Sequence, residues 1–166
     1  MKTSCGIILS DGESILAGLA TGKKDAHHMY DLAGKGGKDK NESYLEAAIR
    51  ELREETGIDL PITVFSHIKD LGQFKYIKDK ELHLFSLHIE KMPEISTLFC
   101  DSTYEMYGRQ LPEIAQYKNF GLDELFWFYK SLEPVLKKAT SGDWLNDEVI
   151  SLSSFLIKKK KQGLFI

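Results

Sequence analysis

Apolar and polar positions divide the chain into short elements. Residues 5–9 and 14–20 are apolar runs, and Asp11-Gly12 between them is a hairpin signal. Residues 21–28 are polar, with two lysines and the adjacent His27 and His28, and read as a loop with flexible surface histidines. Residues 29–33 predict a short strand leading into a glycine-rich stretch. A helix follows. Ser43 is a good N-cap with Glu46 three residues later, Leu45, Ala48, Ile49, Leu52 and Thr56 form one apolar stripe at helical spacing, and Gly57 supplies the stop.

Beyond the helix, residues 61–68 predict a strand through Ile62, Val64 and Phe65, and residues 69–80 a polar connection holding at most a short strand. Residues 81–90 place Leu82, Leu84, Ser86 and His88 on one face and His83, Phe85, Leu87 and Ile89 on the other. Apolar residues on both faces predict a central strand between two packed layers, with both histidines partly buried in local hydrogen bonds. Regularity breaks over residues 91–121, where Pro93, Asp101, Gly108 and Pro112 punctuate an aromatic-rich stretch. Residues 122–138 predict an amphipathic helix bent near Pro134, with Glu124 as a cap or surface residue, and residues 144–157 a last helix before Lys158–Lys161.

At 166 residues the expectation is one domain, 1–166, with a real core. Net charge −3 gives no sign of a general nucleic-acid binder, and the terminal lysines are expected to be a solvated tail. Cys5 and Cys100 lack metal-ligand spacing and are expected to be reduced core or loop residues of a cytoplasmic protein. Nothing approaches the length of a membrane span.

Chemistry concentrates around the predicted helix. Glu51, Glu54 and Glu55 are three and four apart, so their carboxylates gather on a face beside the apolar stripe. Ala47, one turn earlier, is expected to leave the approach to them open. Crowded carboxylates repel unless a cation sits among them, and hard oxygen ligands suit Mg²⁺ or Mn²⁺ with a phosphate substrate completing the shell. A solvated acidic helix face explains the carboxylates alone equally well. Gly34, Gly36 and Gly37 ahead of the helix permit tight turns and leave backbone groups open to a ligand.

Gly36, Glu42, Arg50, Glu51, Leu52, Glu54, Glu55, Gly57 and Ile58 stand at fixed offsets that match the Nudix box in full. The chain thereby resembles the Nudix hydrolase family of MutT-like nucleotide pyrophosphohydrolases. That resemblance implies an α/β fold, the Nudix-type α/β/α sandwich with a mixed β-sheet, its catalytic helix between the third and fourth strands. It implies metal-dependent hydrolysis of a diphosphate linkage in a nucleoside diphosphate derivative, with Glu51, Glu54 and Glu55 as metal ligands joined by the Gly36 carbonyl. Arg50 would orient the glutamates, and Glu42 would be a structural partner of the loop. The sequence departs from the family at Ala33-Gly34-Lys35-Gly36, which lacks the usual proline and is one residue longer.

Lys35 and Lys38 are candidates for substrate phosphates. Tyr104, Tyr107 and Arg109 in the aromatic stretch are candidates for base recognition. Glu113, which precedes Asn119-Phe120-Gly121-Leu122-Asp123-Glu124-Leu125, resembles a loop glutamate serving as general base or extra ligand, with Glu105 as competitor. The expected partner is a small-molecule nucleotide, a nucleoside triphosphate first, with no membrane or nucleic-acid partner and a homodimer left open. ADP-ribose or dinucleoside polyphosphate hydrolysis, a non-catalytic nucleotide sensor and RNA 5′-end processing are the alternatives.

Overall fold

A strand with two apolar faces needs cover on both sides, and the architecture follows from that. A computed structural model describes residues 2–152; the lysine tail and residues 153–157 of the expected last helix lie outside the described residues. The first hairpin forms as its sequence predicts. Strand β1 (Lys2–Ser10) turns into β2 (Ser14–Ala20), with Ser10 opposite Ile15. Asp11 Oδ1 closes the turn by accepting from the Glu13 and Ser14 amides, each at 2.9 Å.

The central sheet runs β3 (Tyr30–Leu32), β2, β1, β6 (Lys80–His88), β5 (Lys69–Lys75). β1 and β6 are parallel and their neighbours antiparallel, so the sheet is mixed. Two further strands, β4 (Lys35–Gly37) and β9 (Ile114–Gly121), pair with β1 and β2 respectively. On one face Cys5, Ile7, Leu9, Phe85 and Leu87 pack with Ala48 and Leu52 of helix α1 (Tyr44–Thr56). On the other, Ile8, Leu82 and Leu84 pack with Leu132 and with Val135 and Leu136 of helix α2 (Glu133–Ala139). This is the α/β/α sandwich, and β6 is one of its interior strands.

His83 and His88 are held locally, as expected. His83 Nε2 lies 2.7 Å from Asp70 Oδ1, and His88 Nδ1 lies 2.9 Å from the Asn146 carbonyl. Cys5 and Cys100 are buried free thiols, and burial raises Cys5 to about 11. No helix among the described residues is long and apolar enough to cross a membrane.

Several expected elements take another form. The glycine-rich loop contains β4, so α1 follows the fourth strand rather than the third; Gly36 and Gly37 pair through backbone alone and leave no side-chain pattern to read. Residues 62–67 form a 3₁₀ helix after Pro61, not a strand, because Ile62 is 78 % exposed and only Val64 is buried. The irregular stretch holds a separate hairpin, β7 (Thr103–Met106) and β8 (Arg109–Pro112), followed by β9. Pro134 stands in the first turn of α2, where its missing N–H costs nothing, instead of bending a longer helix. Leu125–Trp127 before it is a separate 3₁₀ turn, and Glu124 accepts from the Gly121 amide at 2.9 Å.

Residues 144–150 are not helical. Trp144 is buried, its carbonyl accepts from Ser86 Oγ at 2.5 Å, and Ile150 bridges Ile89 in parallel. The segment is strapped along β6 by hydrogen bonds that a helix would have kept for itself. His27 and His28 are likewise pinned. His27 sits edge-on to Phe126 and Trp127, and the His28 amide donates to the Phe126 carbonyl at 3.0 Å.

Candidate active site

Helix α1 begins and ends where its residues dictate. Ser43 Oγ accepts from the Glu46 amide at 3.0 Å, and the Ser43 amide donates to Glu46 Oε1 at 2.8 Å, completing a capping box. Gly57 closes the helix at φ +81, where a Cβ would collide with the Phe99 ring. The carbonyls of Glu54, Glu55 and Thr56 accept from the Asp101 amide (2.6 Å), Tyr117 Oη (2.5 Å) and the Phe99 amide (3.2 Å). The last turn is thereby tied to residues 99–117, with Phe99 and Tyr117 as anchors.

The buried side of α1 is rotated from the expected stripe. Ala47, Ala48, Glu51, Leu52, Glu55 and Thr56 are buried, while Leu45 and Ile49 are only half-buried. Ala47 therefore packs in the core and opens no approach, because the row Ala47–Glu51–Glu55 lies against the sheet beside β4. Glu51 rests on Gly36 so closely that a Cβ there would overlap its carboxylate. Only glycine fits.

Glu55 Oε1 accepts from the Gly34 and Lys35 amides at 2.8 and 3.3 Å, clamping the turn between β3 and β4 to the helix. Burial raises Glu55 to about 8, partly offset by the Gly34 bond and reinforced by Asp31 and Glu51. Burial also raises Glu51 to about 7; Arg50 lowers it, and the charges of Glu54 and Glu113 push it up.

Arg50 commits four of its five N–H donors to local partners. Nε and Nη2 bind Glu42 at 2.7 and 3.0 Å, Nη1 binds Glu54 at 3.1 Å and lies 3.6 Å from Glu51, and Nη2 also donates to the Gly37 carbonyl at 2.8 Å. The bidentate arginine bond holds Glu42 down to about 2. Arg50 thus ties the glycine loop to the helix.

Glu113 comes from a distant part of the chain, and its charge bears on Glu51. Its amide donates to the Ser102 carbonyl at 2.9 Å and its carbonyl accepts from the Thr21 amide at 3.1 Å, so it is fixed at the root of the β7–β8 hairpin. Glu105 is exposed in β7. The base-recognition candidates are not gathered here. Tyr104 Oη reaches the Thr21 carbonyl at 3.4 Å, whereas Tyr107 is 95 % exposed at the hairpin tip beside exposed Arg109. At about 3.3 Å of rise per residue, Arg109 stands roughly 13 Å up the strand from Glu113.

Lys35 is paired locally, and its charge also bears on Glu51. Its Nζ lies 3.4 Å from Asp31 and 5.1 Å above the Tyr76 ring. Lys38 lines a cleft of about 580 Å³ together with Lys2, Thr3, Ser4, Gly37, Tyr44 and Lys80. Lys2 and Lys80 carry no motif; only the β1–β6 register brings them together.

Among the described residues, no group of three or more His, Cys, Asp or Glu is drawn close enough to hold a metal ion. The cause is visible in the partners: Arg50 takes Glu54, and the loop amides take Glu55. The chemistry of the donors still fits a hard divalent cation. Glu51, Glu54 and Glu113 place negative charge in one region, and the Gly36 cradle brings bare backbone against Glu51.

The family model for the NUDIX domain matches residues 2–141. The chain belongs to the Nudix hydrolase family. It is accordingly a Nudix hydrolase, an enzyme of the nucleotide pyrophosphohydrolase type, in a family that typically uses divalent metal. This Nudix hydrolase is 33 % identical over 126 residues to an uncharacterised 17.7 kDa protein of Enterobacteria phage T4, covering 69 % of this chain and 79 % of that one.

Solved structures share its fold. A MutT Nudix hydrolase from Burkholderia pseudomallei matches at TM-score 0.57 and 17 % identity, over 82 % of this chain and 95 % of that one. MutT from Bacillus halodurans matches at 0.54 and 18 %, over 87 % and 86 %. A Caenorhabditis elegans Ap4A hydrolase matches at 0.53 and 17 %, over 85 % and 96 %.

Proposed function

We propose that this enzyme hydrolyses a diphosphate linkage in a nucleoside triphosphate or related small nucleotide, with Mg²⁺ or Mn²⁺ as cofactor. The observation that supports this best is Glu51 seated on Gly36 within the field of Glu54 and Glu113. Glu51, Glu54 and the Gly36 carbonyl would hold the cation, with Glu55 contributing the oxygen it does not commit to the loop. When bound, the cation lowers the pKa of water and offsets charge on the phosphoryl oxygens.

The residues themselves position and move the proton. Arg50 fixes Glu42, Glu54 and Gly37 relative to one another, so the donors keep one arrangement. Glu113 accepts a proton from the water whose oxygen bonds to phosphorus. The bridging P–O bond breaks, and the leaving nucleotide or phosphate carries the electron pair away.

Lys38 remains a candidate for the substrate phosphates. Tyr104, Tyr107 and Arg109 would meet a base only if it reached along the hairpin. Fold relatives include both MutT proteins and an Ap4A hydrolase, so triphosphates and dinucleoside polyphosphates head the substrate panel.

The test is a hydrolysis screen of the purified protein and its Glu54→Gln variant with Mg²⁺ or Mn²⁺. Canonical and oxidised nucleoside triphosphates, ADP-ribose, dinucleoside polyphosphates and 5′-triphosphate RNA form the panel, with products identified by mass. Turnover that falls by about 10²-fold or more in the variant is expected. Nucleotide binding without turnover would instead make the protein a sensor.

A further inference from the structure

We propose that Tyr117 is a positioning residue: its hydroxyl fastens the strand that carries Glu113 to the last turn of α1, and so sets where Glu113 stands relative to the helix carboxylates. The proposal rests on the hydrolase reading of Glu51, Glu54 and Glu113, and adds to it a residue that no motif marks.

A helix leaves its last carbonyls without partners of its own. In α1 those of Glu54, Glu55 and Thr56 belong to the same turn as two of the candidate ligands. Backbone amides meet two of them, Asp101 at Glu54 (2.6 Å) and Phe99 at Thr56 (3.2 Å). The Glu55 carbonyl instead accepts from Tyr117 Oη at 2.5 Å, a side-chain bond that arrives from β9. Tyr117 is buried, and burial raises its phenol well above the ordinary tyrosine value, so it stays a donor.

β9 starts one residue after Glu113, and its pairing with β2 is irregular there. Gln116 stands opposite Leu19 and Ile114 opposite Ala20, so Ala115 is an extra residue, a β-bulge. In a regular strand, residues three apart point to opposite faces. Tyr117 and Phe120 obey that rule, Tyr117 packing in the core on the α1 side and Phe120 in the core on the α2 side. Ile114 and Tyr117 break it, because both pack on the α1 side. The bulge thus keeps the start of β9 turned toward α1, where Tyr117 bonds it.

Glu113 is also held from the other direction. Its amide donates to the Ser102 carbonyl at 2.9 Å, Cys100 Sγ donates to that same carbonyl at 3.2 Å, and the Glu113 carbonyl accepts from the Thr21 amide at 3.1 Å. With the Asp101 amide on Glu54, these bonds close a ring: α1, residues 99–102, Glu113, β9 and back to α1 through Tyr117. A single hydroxyl supplies the closing link. Without it Glu113 keeps Ser102 and Thr21, but β9 is released from the helix.

The test is Tyr117→Phe, which removes the hydroxyl and keeps the ring in the core, made alone and together with Glu113→Gln. Mn²⁺-supported kinetics are compared among the wild type, the two single variants and the double variant, with melting temperature as the control for folding. Tyr117→Phe alone should lower kcat about 10–100-fold with KM unchanged, the scale expected when a reacting group is misplaced. In the Glu113→Gln background the same change should cost less than about twofold, because the group it positions is gone. Melting temperature should fall equally in both backgrounds. Native-state hydrogen exchange in EDTA supplies a readout free of metal and turnover, in which the Asp101 and Glu113 amides should exchange about tenfold faster in Tyr117→Phe.

An equal loss of kcat in both backgrounds would make Tyr117 a support of the helix alone and overturn the proposal. Unchanged exchange at Glu113 overturns it as well, and decides the matter where Glu113→Gln leaves too little rate to compare. If the wild type hydrolyses nothing while exchange at Glu113 rises in the variant, the brace stands and the hydrolase reading falls.

Discussion

Gly36 and Arg50 show how much of the candidate site is decided by single residues. Gly36 is required by contact, not by turn geometry: its φ is unremarkable for any residue, but Glu51 fills the space where a side chain would begin. Gly36→Ala should destabilise the protein by about 1–3 kcal/mol and displace Glu51, reducing turnover along with stability. Urea denaturation and initial rates on one substrate would check both. Arg50 makes four hydrogen bonds to Glu42, Glu54 and Gly37 through a planar fork that lysine cannot reproduce. Arg50→Lys is expected to keep the fold and lose about 10–100-fold in kcat, the usual penalty for removing a group that orients metal ligands. Retained kcat would show that the glutamates keep their places without it.

At the scale of elements, helix α1 carries the site because both of its ends are fixed. The capping box satisfies the first turn, and residues 99–117 satisfy the last. Ser43→Ala removes one half of the box and should cost about 1 kcal/mol, read as a lower urea midpoint with an unchanged slope. The capping box, the Gly57 stop and the spacing of Glu51, Glu54 and Glu55 were all legible in the sequence, because they depend only on residues within one helix. The rotation of its buried face was not. Glu51 and Glu55 read as solvent-facing by polarity, yet β4 buries them by meeting them with backbone. The β7–β8 hairpin escaped for a different reason: its residues are mostly exposed, so no apolar alternation marks it.

For the molecule as a whole, the buried carboxylates set an acid–base balance that can be measured without substrate. Glu51 and Glu55 are raised from 4.5 to about 7 and about 8, so the folded state binds more protons than the unfolded chain between those values. Their contribution to stability is fully present below pH 4.5 and is lost as pH rises through 7 and 8. Glu42, held down to about 2, acts in the opposite sense: its contribution is present above pH 4.5 and is lost as pH falls toward 2. The melting temperature in EDTA should therefore peak in mildly acidic buffer and fall toward pH 8. Glu51→Gln should flatten the alkaline arm, and Mg²⁺ or Mn²⁺ at pH 8 should restore the melting temperature. A flat profile from pH 5 to 8 in EDTA would contradict the burial of these groups.

Periodicity, caps and the spacing of the Nudix box determined the central helix, the first hairpin, the interior strand β6 and the family, since each is written in residues close together along the chain. Tertiary structure alone decided which carboxylates share one region. The charge of Glu113 bears on Glu51 across a separation of 62 residues because Phe99, Asp101 and Tyr117 bond to the last turn of α1. Lys2 meets Lys80 through strand register, and the segment 144–150 becomes a strap because β6 offers it hydrogen bonds. These pairings depend on packing and register between distant segments, which no local pattern of apolar and polar residues encodes.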